Sequence, residues 1–535
     1  LPNQKVNMNK TSSWYNFQQN FLELPEVGFS LDTSLMDVPD VPPNSEEKLF
    51  QSAFQQMQDL EDGSIANPDE NRMVGHYWLR NPELAPSAEI QNLISFTIKN
   101  IQQFAQEIQQ KILVPQKADS FQNVLLIGIG GSALAPQFIQ NALASESDLM
   151  QFYFIDNTDP DGIDRVMSTL GDKLKSTLTL VISKSGETKE TRNAMLEVRH
   201  LYEKSALDFG KHAVAVTGEK SQLDKLAERE NWLYRFPMWE WVGGRTSVFS
   251  AVGMLPAALQ GLDISKILNG AKVMDELTRR KDVTRNPAAV LAWMWHHVGA
   301  GRGKKAMVML PYKDRLLLLS RYLQQLVMES LGKEKDLKGK TVHQGLSVYG
   351  NKGSTDQHAF VQQLREGPED FFVTFIEVLK DRENTSLEIE PGITSGDYLQ
   401  GFMLGTSSAL FQNDRPSLTI TMEEINSQSL GALIALFERA VGLYASLIGI
   451  NAYNQPGVEV GKSEAGDVIE LSLKIQSLLK SSPEQQFSAA SIAEVFEDTA
   501  KTVTIFKLLN HLSANGRVQK IFSSDPFSAE FKANP

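Results

Sequence analysis

The sequence predicts an α/β protein with two doubly wound, mainly parallel sheets flanked by helices and a helical C-terminal extension. Two series of strand-like runs and one strongly periodic helix carry this expectation. The first series is VLLIG (124–128), FYFID (152–156), LTLVIS (178–183) and HAVAVT (212–217), each followed by a polar or glycine-containing turn and then helical text. Such alternation is the signature of βαβ units around a parallel sheet. A second series runs through AMVMLPY (306–312), DFFVTFIEVL (370–379) and SLTITM (417–422). Within it, DRLLLLSRYLQQLVMESLGK places Leu316, Leu319, Leu323 and Leu326 near a 3.6-residue period, which predicts a helix with one buried face. The two halves suggest a duplicated architecture, although no period qualifies as a sequence repeat.

These patterns divide the chain into four parts. Residues 1–119 read as mostly helical or irregular, with a proline-rich extended piece at DVPDVPPNSEE, and are expected to wrap one of the α/β units. Residues 120–295 hold the first α/β domain and 296–480 the second. Residues 481–535 begin at the linker-like SSPEQQ and read as two helices and a turn at SANGRV. A helical hairpin of this kind can read DNA, but packing against the body suits an acidic chain better.

Bulk composition narrows the function classes. With 41% hydrophobic and 22% charged residues, the 535-residue chain has the composition of a folded globular protein. Its 52 basic against 65 acidic residues give a net charge of −13, which argues against nucleic acid as a partner. There is no cysteine, so disulfides, cysteine zinc sites and thiol catalysis are excluded. The N-terminal text lacks signal- and transit-peptide patterns, and no uninterrupted run reaches the roughly 18 apolar residues that span a bilayer. The expectation is a cytoplasmic protein without a membrane partner.

Two loops point to an anion. Gly128-Ile129-Gly130-Gly131-Ser132-Ala133 ends the first strand run, satisfies the G-x-G-x-x-A spacing of a dinucleotide turn, and is followed by an acid at Asp156. Backbone N–H groups and a helix N-terminus at the carboxyl edge of a sheet attract negative charge. The second loop, Ser183-Lys184-Ser185-Gly186-Glu187-Thr188, comes after the third strand run. Its hydroxyls, amides and lysine suit the three oxygens of a phosphate monoester, which a dinucleotide pyrophosphate does not require. A plain Ser/Thr helix cap beside a solvated lysine is the alternative.

Four further motifs occur along the chain: WVGGRTSVFSAVG (241–253), MESLGK (328–333), STDQHAF (354–360) and NAYNQPGVEVGK (451–462). Arg245 is a cation on a glycine turn, able to stabilise an oxyanion. Glu329 ends the leucine-striped helix, where partial desolvation makes a carboxylate a better base. His358 offers an imidazole, the side-chain type suited to moving a proton on a ring oxygen. Taken singly, Arg245 also reads as part of a surface turn, Glu329 as a helix-end glutamate, and Lys462 as a solvated lysine at a helix start. His296 and His297, in AWMWHHVG, read as packing residues because no third metal ligand lies at recognisable spacing.

Together, the six motifs resemble the phosphoglucose isomerase family, and the resemblance covers residues 120–480 well. It implies tandem sugar isomerase domains, the first small and the second large. It also implies reversible aldose–ketose isomerisation of D-glucose 6-phosphate and D-fructose 6-phosphate, the step shared by glycolysis and gluconeogenesis. By this resemblance Glu329 moves the proton between C2 and C1, Arg245 stabilises the cis-enediolate, and His358 and Lys462 open the ring. Ser183, Ser185, Thr188 and Gln455 hold the phosphate, Lys184 adds positive potential, and Gly131 and Ser132 line the sugar. The resemblance implies no cofactor and no metal, and a homodimer in which the histidine enters the neighbouring subunit's site. Ala133, Thr246, Ser185-Gly186 and Pro456 depart from the common pattern, and none of these removes a proton-transferring group. The competing readings are an NAD-dependent oxidoreductase using the glycine turn, a non-catalytic sugar-phosphate-binding protein, and an amino-sugar phosphate isomerase or synthase of the same fold. The glutamine-dependent synthase needs an N-terminal cysteine, which this chain lacks.

Overall fold

A computed structural model of the chain describes residues 14–36, 38 and 44–534, without the side chains of residues 44–46, 459, 460 and 462. Most of the proline-rich piece expected at 37–47 therefore lies outside the described residues. Two strands precede the first expected one: β1 (Phe21–Leu24) and β2 (Phe29–Leu35) form an antiparallel hairpin. The next five strands are β3 (Asn123–Ile127), β4 (Gln151–Ile155), β5 (Thr177–Ser183), β6 (Ala213–Thr217) and β7 (Tyr234–Pro237). They form an all-parallel sheet in the order β4-β3-β5-β6-β7. β8 (Ala306–Pro311), β9 (Val348–Tyr349), β10 (Phe371–Val378) and β11 (Ser417–Met422) form the second sheet with the hairpin, in the order β1-β2-β11-β10-β8-β9. β8 to β11 are mutually parallel, and β2 joins β11 antiparallel. The protein is thus α/β with two mainly parallel sheets, and residues 21–35, expected to be helical or irregular, instead extend the second sheet.

Sheets covered by helices on both faces need strands that are apolar throughout, which is why β3, β5 and β6 are buried along their whole lengths. Side chains alternate across each strand. Val124 and Leu126 of β3 therefore point into one core, while Leu125 and Ile127 point into another. The first core also contains Met307 and Met309 of β8, Phe372 of β10 and Leu418 of β11. The two sheets thus share continuous apolar packing across the expected boundary at residue 295.

The helix Ser427–Ile448 runs through that shared core. Asn426 and Ser429 form its capping box, and Gly449, at φ +67°, ends it in the left-handed conformation. Among the described residues it is the one helix long and apolar enough to cross a membrane, yet nearly all of it is buried in the protein. Its two charged residues, Glu438 and Arg439, explain why no uninterrupted apolar run shows in the sequence. Asp275 accepts from Arg80 Nε and Nη2 at 2.6 and 2.8 Å and from Arg439 Nε at 2.9 Å. Arg80 also pairs with Glu438, and Arg439 with Glu61, which Arg279 grips at 2.9 and 3.0 Å. The Tyr77 ring lies 3.9 Å from the Arg439 guanidinium. Burial pushes Asp275 up, but Arg439 and Arg80 outweigh it and hold the carboxyl well below its ordinary range. For Glu438 burial prevails over Arg80, and the carboxyl is pushed up to about 7.

The chain divides into two compact units between Asn454 and Gln455, earlier than the start at residue 481 expected for the extension. The helix Pro456–Ser481 belongs with the C-terminal residues because its Leu471, Ile475 and Leu479 pack with Ile492, Ile505, Leu509, Leu512 and Phe531. The two expected helices are present at Ala489–Val495 and Thr502–Ala514, and Phe487–Ser488 before them forms a small antiparallel sheet with Glu530–Ala533 and Val518–Ile521 after them.

Asp275→Asn should lower stability by about 3–5 kcal/mol, because it leaves two buried guanidinium groups short of countercharge. Glu26→Gln, which removes the half-exposed pair with Arg280, should cost less than about 1 kcal/mol. Urea unfolding of the two variants reads the contrast directly. Asp275 binds its proton more weakly in the folded state than at its ordinary value of 3.8. Its contribution is accordingly present above that pH and is lost as the pH falls below it.

Candidate active site

The site grows from the carboxyl edge of the first sheet. β3 and β5 are parallel neighbours, with Ile127 opposite Val181, so the loops that leave them lie side by side. After β3 the chain turns through Gly130 at φ +58° and enters the helix Gly131–Leu143. A Cβ on Gly131 would stand 1.9 Å from the carbonyl oxygen of Gly244. This glycine therefore serves contact between two backbones, the glycine loop and the 243–245 turn. The acid that a dinucleotide site would need for ribose is already engaged, since Asp156 Oδ2 accepts from Gln137 Nε2 at 3.0 Å and from Arg321 Nη2 at 3.3 Å.

The loop after β5 is folded by its own hydroxyls. Ser183 Oγ accepts from the Gly186 N–H at 3.2 Å, and Ser185 Oγ from the Glu187 N–H at 3.1 Å. Ser183 is buried, Ser185 exposed and Thr188 half-buried. Thr188 sits at the start of the helix Lys189–Lys204 without capping it through its side chain, so the alternative reading of this loop as a plain helix cap does not hold at Thr188. Lys184 Nζ donates to the carbonyls of Glu240 at 3.0 Å and Val242 at 3.1 Å. It ties this loop to the stretch leading into Arg245, and burial lowers its pKa against the opposing pull of Glu240.

Arg245 lies on a single 3-10 turn, Gly244–Thr246, and is buried. Its Nε donates to Ser330 Oγ at 2.8 Å, and its Nη2 to the carbonyls of Ala452 at 2.7 Å and Asn454 at 2.8 Å. Its Nη1 stands 3.3 Å from Glu329 Oε1. Burial lowers the guanidinium pKa, and Glu329 opposes that shift. The helix that carries Glu329 is not the regular one that the leucine stripe predicts. A short α-helical piece, Leu319–Leu323, passes into a π-helical turn, Gln324–Glu329, although Leu316, Leu319, Leu323 and Leu326 are all buried as expected. Wider turns of this kind are frequent at functional sites, where they re-aim a side chain.

Of the residues expected at the site, Arg245 and Glu329 touch, Gly131 packs on the Arg245 turn, and Ser183, Lys184, Ser185 and Thr188 share the adjacent loop. Ser132 is half-buried at the start of the glycine-loop helix. His358 is exposed on the 3-10 turn Thr355–His358, which Asp356 braces by accepting from the Asn351 N–H at 2.8 Å. Gln455 precedes the helix Pro456–Ser481 in the second unit, and the Lys462 side chain lies outside the described residues.

The structure also adds residues that the sequence motifs do not single out. Gln325 faces the glycine loop, with its Nε2 3.0 Å from where a Cβ on Gly130 would be. Ser330 and the carbonyls of the 452–454 loop hold Arg245. Gln325 precedes Glu329 by four residues, a spacing that the sequence shows. Backbone carbonyls leave no signal in residue type. Among the described residues, no three His, Asp or Glu side chains are grouped so as to hold a metal ion.

Gly131→Ala should cost about 3 kcal/mol or more, because backbone meets backbone at that point and cannot yield. Gly244→Ala, with no atom within 4 Å of the added Cβ, should stay within about 1 kcal/mol of the parent. Thermal melting of both variants checks the pair, and equal losses would contradict this account of the glycine loop.

Known proteins similar to this chain fall in one family. The family model described as Phosphoglucose isomerase matches residues 45–489. A curated protein named glucose-6-phosphate isomerase from Geotalea daltonii is 55% identical over 508 residues, 95% of this chain and 96% of that protein. One of the same name from Synechococcus elongatus is 58% identical over 493 residues, 92% of this chain and 93% of that protein. The crystal structure of a glucose-6-phosphate isomerase from Chlamydia trachomatis superposes with a TM-score of 0.77 at 25% identity, covering 87% of this chain and 92% of that one. The chain belongs to the phosphoglucose isomerase family.

Proposed function

We propose that the chain catalyses the reversible isomerisation of D-glucose 6-phosphate and D-fructose 6-phosphate through ring opening and a cis-enediolate, the step that serves glycolysis and gluconeogenesis. The observation that carries this reading is the carboxylate of Glu329 held 3.3 Å from the buried guanidinium of Arg245, beside two anion-suited loops. The pair suits proton transfer next to a carbonyl. Glu329 takes the proton from C2 and becomes neutral as the negative charge passes to the enediolate oxygens. Arg245 then exchanges one anionic partner for another, so no uncompensated charge forms in a place poor in water. Transfer of the C2 hydroxyl proton to the C1 oxygen and return of the Glu329 proton to C1 complete the conversion of aldose to ketose.

Ser183, Ser185, Thr188 and Gln455, with the backbone of 183–188, hold the phosphate in this scheme, and Lys184 contributes positive potential from its strut position. Gly131 and Ser132 line the sugar. His358 and Lys462 open the ring. The exposure of His358 fits a homodimer in which it serves the site of a neighbouring subunit. The scheme calls for neither metal nor nucleotide, and its setting is the cytoplasm.

In deuterated water with a chelator and no nucleotide, the protein should exchange the C2 hydrogen of glucose 6-phosphate, as read by proton NMR. Failure to exchange would sink the isomerase reading. Glu329→Gln should lower that exchange by about 10³-fold or more. Its affinity for sorbitol 6-phosphate, which cannot isomerise, should stay within about threefold of the parent value. Exchange at the parental rate would show that another group is the base.

A further inference from the structure

A second cation lies beside the Arg245–Glu329 pair. Lys333 begins the short strand Lys333–Lys335 and is buried, whereas Glu334 and Lys335 after it are exposed. Its Nζ donates to the backbone carbonyl of Glu329 at 2.7 Å and to that of Asn454 at 3.2 Å. Arg245 reaches the same two partners, Glu329 through the carboxylate and the 452–454 loop through the carbonyls of Ala452 and Asn454. Two positive charges thus converge on one glutamate and one loop.

Helix ends leave carbonyls without intrahelical partners, and a lysine near the last turn can supply them. Here the lysine takes the carbonyl of the residue whose side chain faces Arg245. The loop at its other end is itself fixed, because Asn451 Nδ2 donates to Asp69 at 2.8 Å and to Asn67 at 3.0 Å, and Asn454 bonds Asp69. Burying an ammonium next to a guanidinium costs stability, so a clamp made only for stability would favour a neutral donor.

We propose that Lys333 is a positioning residue for the isomerisation, pinning the Glu329 peptide to the 452–454 loop and holding a second positive charge beside the carboxylate. The proposal rests on Glu329 being the base. The charged groups that face Lys333 are Arg245, Glu329 and Asp69. Burial, followed by Arg245, lowers the lysine to about 8 against the pull of Glu329 and Asp69. The charged form therefore prevails below that pH and is lost as the pH rises through it. A neutral amine retains two N–H groups, so deprotonation removes the charge before it removes the clamp.

The test is kcat and KM for fructose 6-phosphate from about pH 6 to 10, with direct NMR readout, in the full-length parent, Lys333→Met and Lys333→Arg. Lys333→Met should lower kcat by about 10- to 100-fold while KM moves less than about threefold, the pattern of an interaction felt mainly in the transition state. Lys333→Arg should recover most of that loss. It should also run flat where the parent declines near pH 8, since a guanidinium does not deprotonate there. Lys333→Met keeping more than half of the parental kcat would overturn the proposal, as would a Lys333→Arg profile that declines with the parent's midpoint. Should Lys333→Met show no cooperative melting transition, the Lys333→Arg profile decides alone. An unaffected Glu329→Gln would instead remove the base assignment, an outcome distinct from either Lys333 result.

Discussion

A guanidinium withdrawn from water must find an acceptor for its donors, and at Arg245 that requirement organises the surroundings. The acceptors come from two places far apart in sequence, the adjacent Glu329 and Ser330 and the 452–454 loop. A buried donor left unmet costs about 1–3 kcal/mol, more for a charged group, so the elements that supply these oxygens are held in register by the cation itself. The glycine loop joins the same arrangement through the contact of Gly131 with Gly244, and the 183–188 loop joins through Lys184. Two charged side chains and one backbone approach thus bring the candidate site together.

Deeper in the same unit, a second set of buried charges ties together helices that apolar packing alone would leave free to slide. Hydrophobic contact is indifferent to small shifts of register, whereas the bidentate grip of Arg80 on Asp275 is not. The network spans Glu61, Arg80, Asp275, Glu438 and Arg439, residues widely separated along the chain, and it sits in the core shared by both sheets. Tyr77 connects it to the neighbourhood of the site, since its ring covers Arg439 and lies 3.9 Å from the ring of His76, which in turn lies 6.3 Å from the ring of Tyr453 in the loop that holds Arg245.

Much of this was legible in the residues. Seven expected strand runs coincide with β3 to β6, β8, β10 and β11 to within a residue or so at each end, because β3, β5, β6 and β8, buried on both faces, read as largely apolar runs, and the half-buried β4 and the alternating β11 are rich in aromatic or β-branched residues. β1 and β2 were not legible: FLEL and FSLDTSL mix polar and apolar residues, as a strand pair at the edge of a sheet does, and only pairing with β11 makes them strands. The motif residues at 131, 183–188, 245 and 329 fall into one neighbourhood. The grip of backbone carbonyls on Arg245 and Lys333 could not be read, since every residue type carries the same carbonyl. The shared core across residue 295 was also hidden, because composition records that a helix is apolar and not which sheet it will cover.

The π-helical turn at Gln324–Glu329 carries an evolutionary corollary. In a helix each residue advances the side-chain direction by about 100°, and a π turn holds one residue more than the α-helical turn it replaces. Losing a single residue anywhere between Leu319 and Glu329 would let the backbone relax into a regular α-helix, a locally better structure, and would swing the carboxylate away from Arg245. Substitutions along this segment can drift as long as the leucine face, Gln325 and Glu329 are kept. Its length cannot, so insertions and deletions in descendants of this sequence should fall elsewhere.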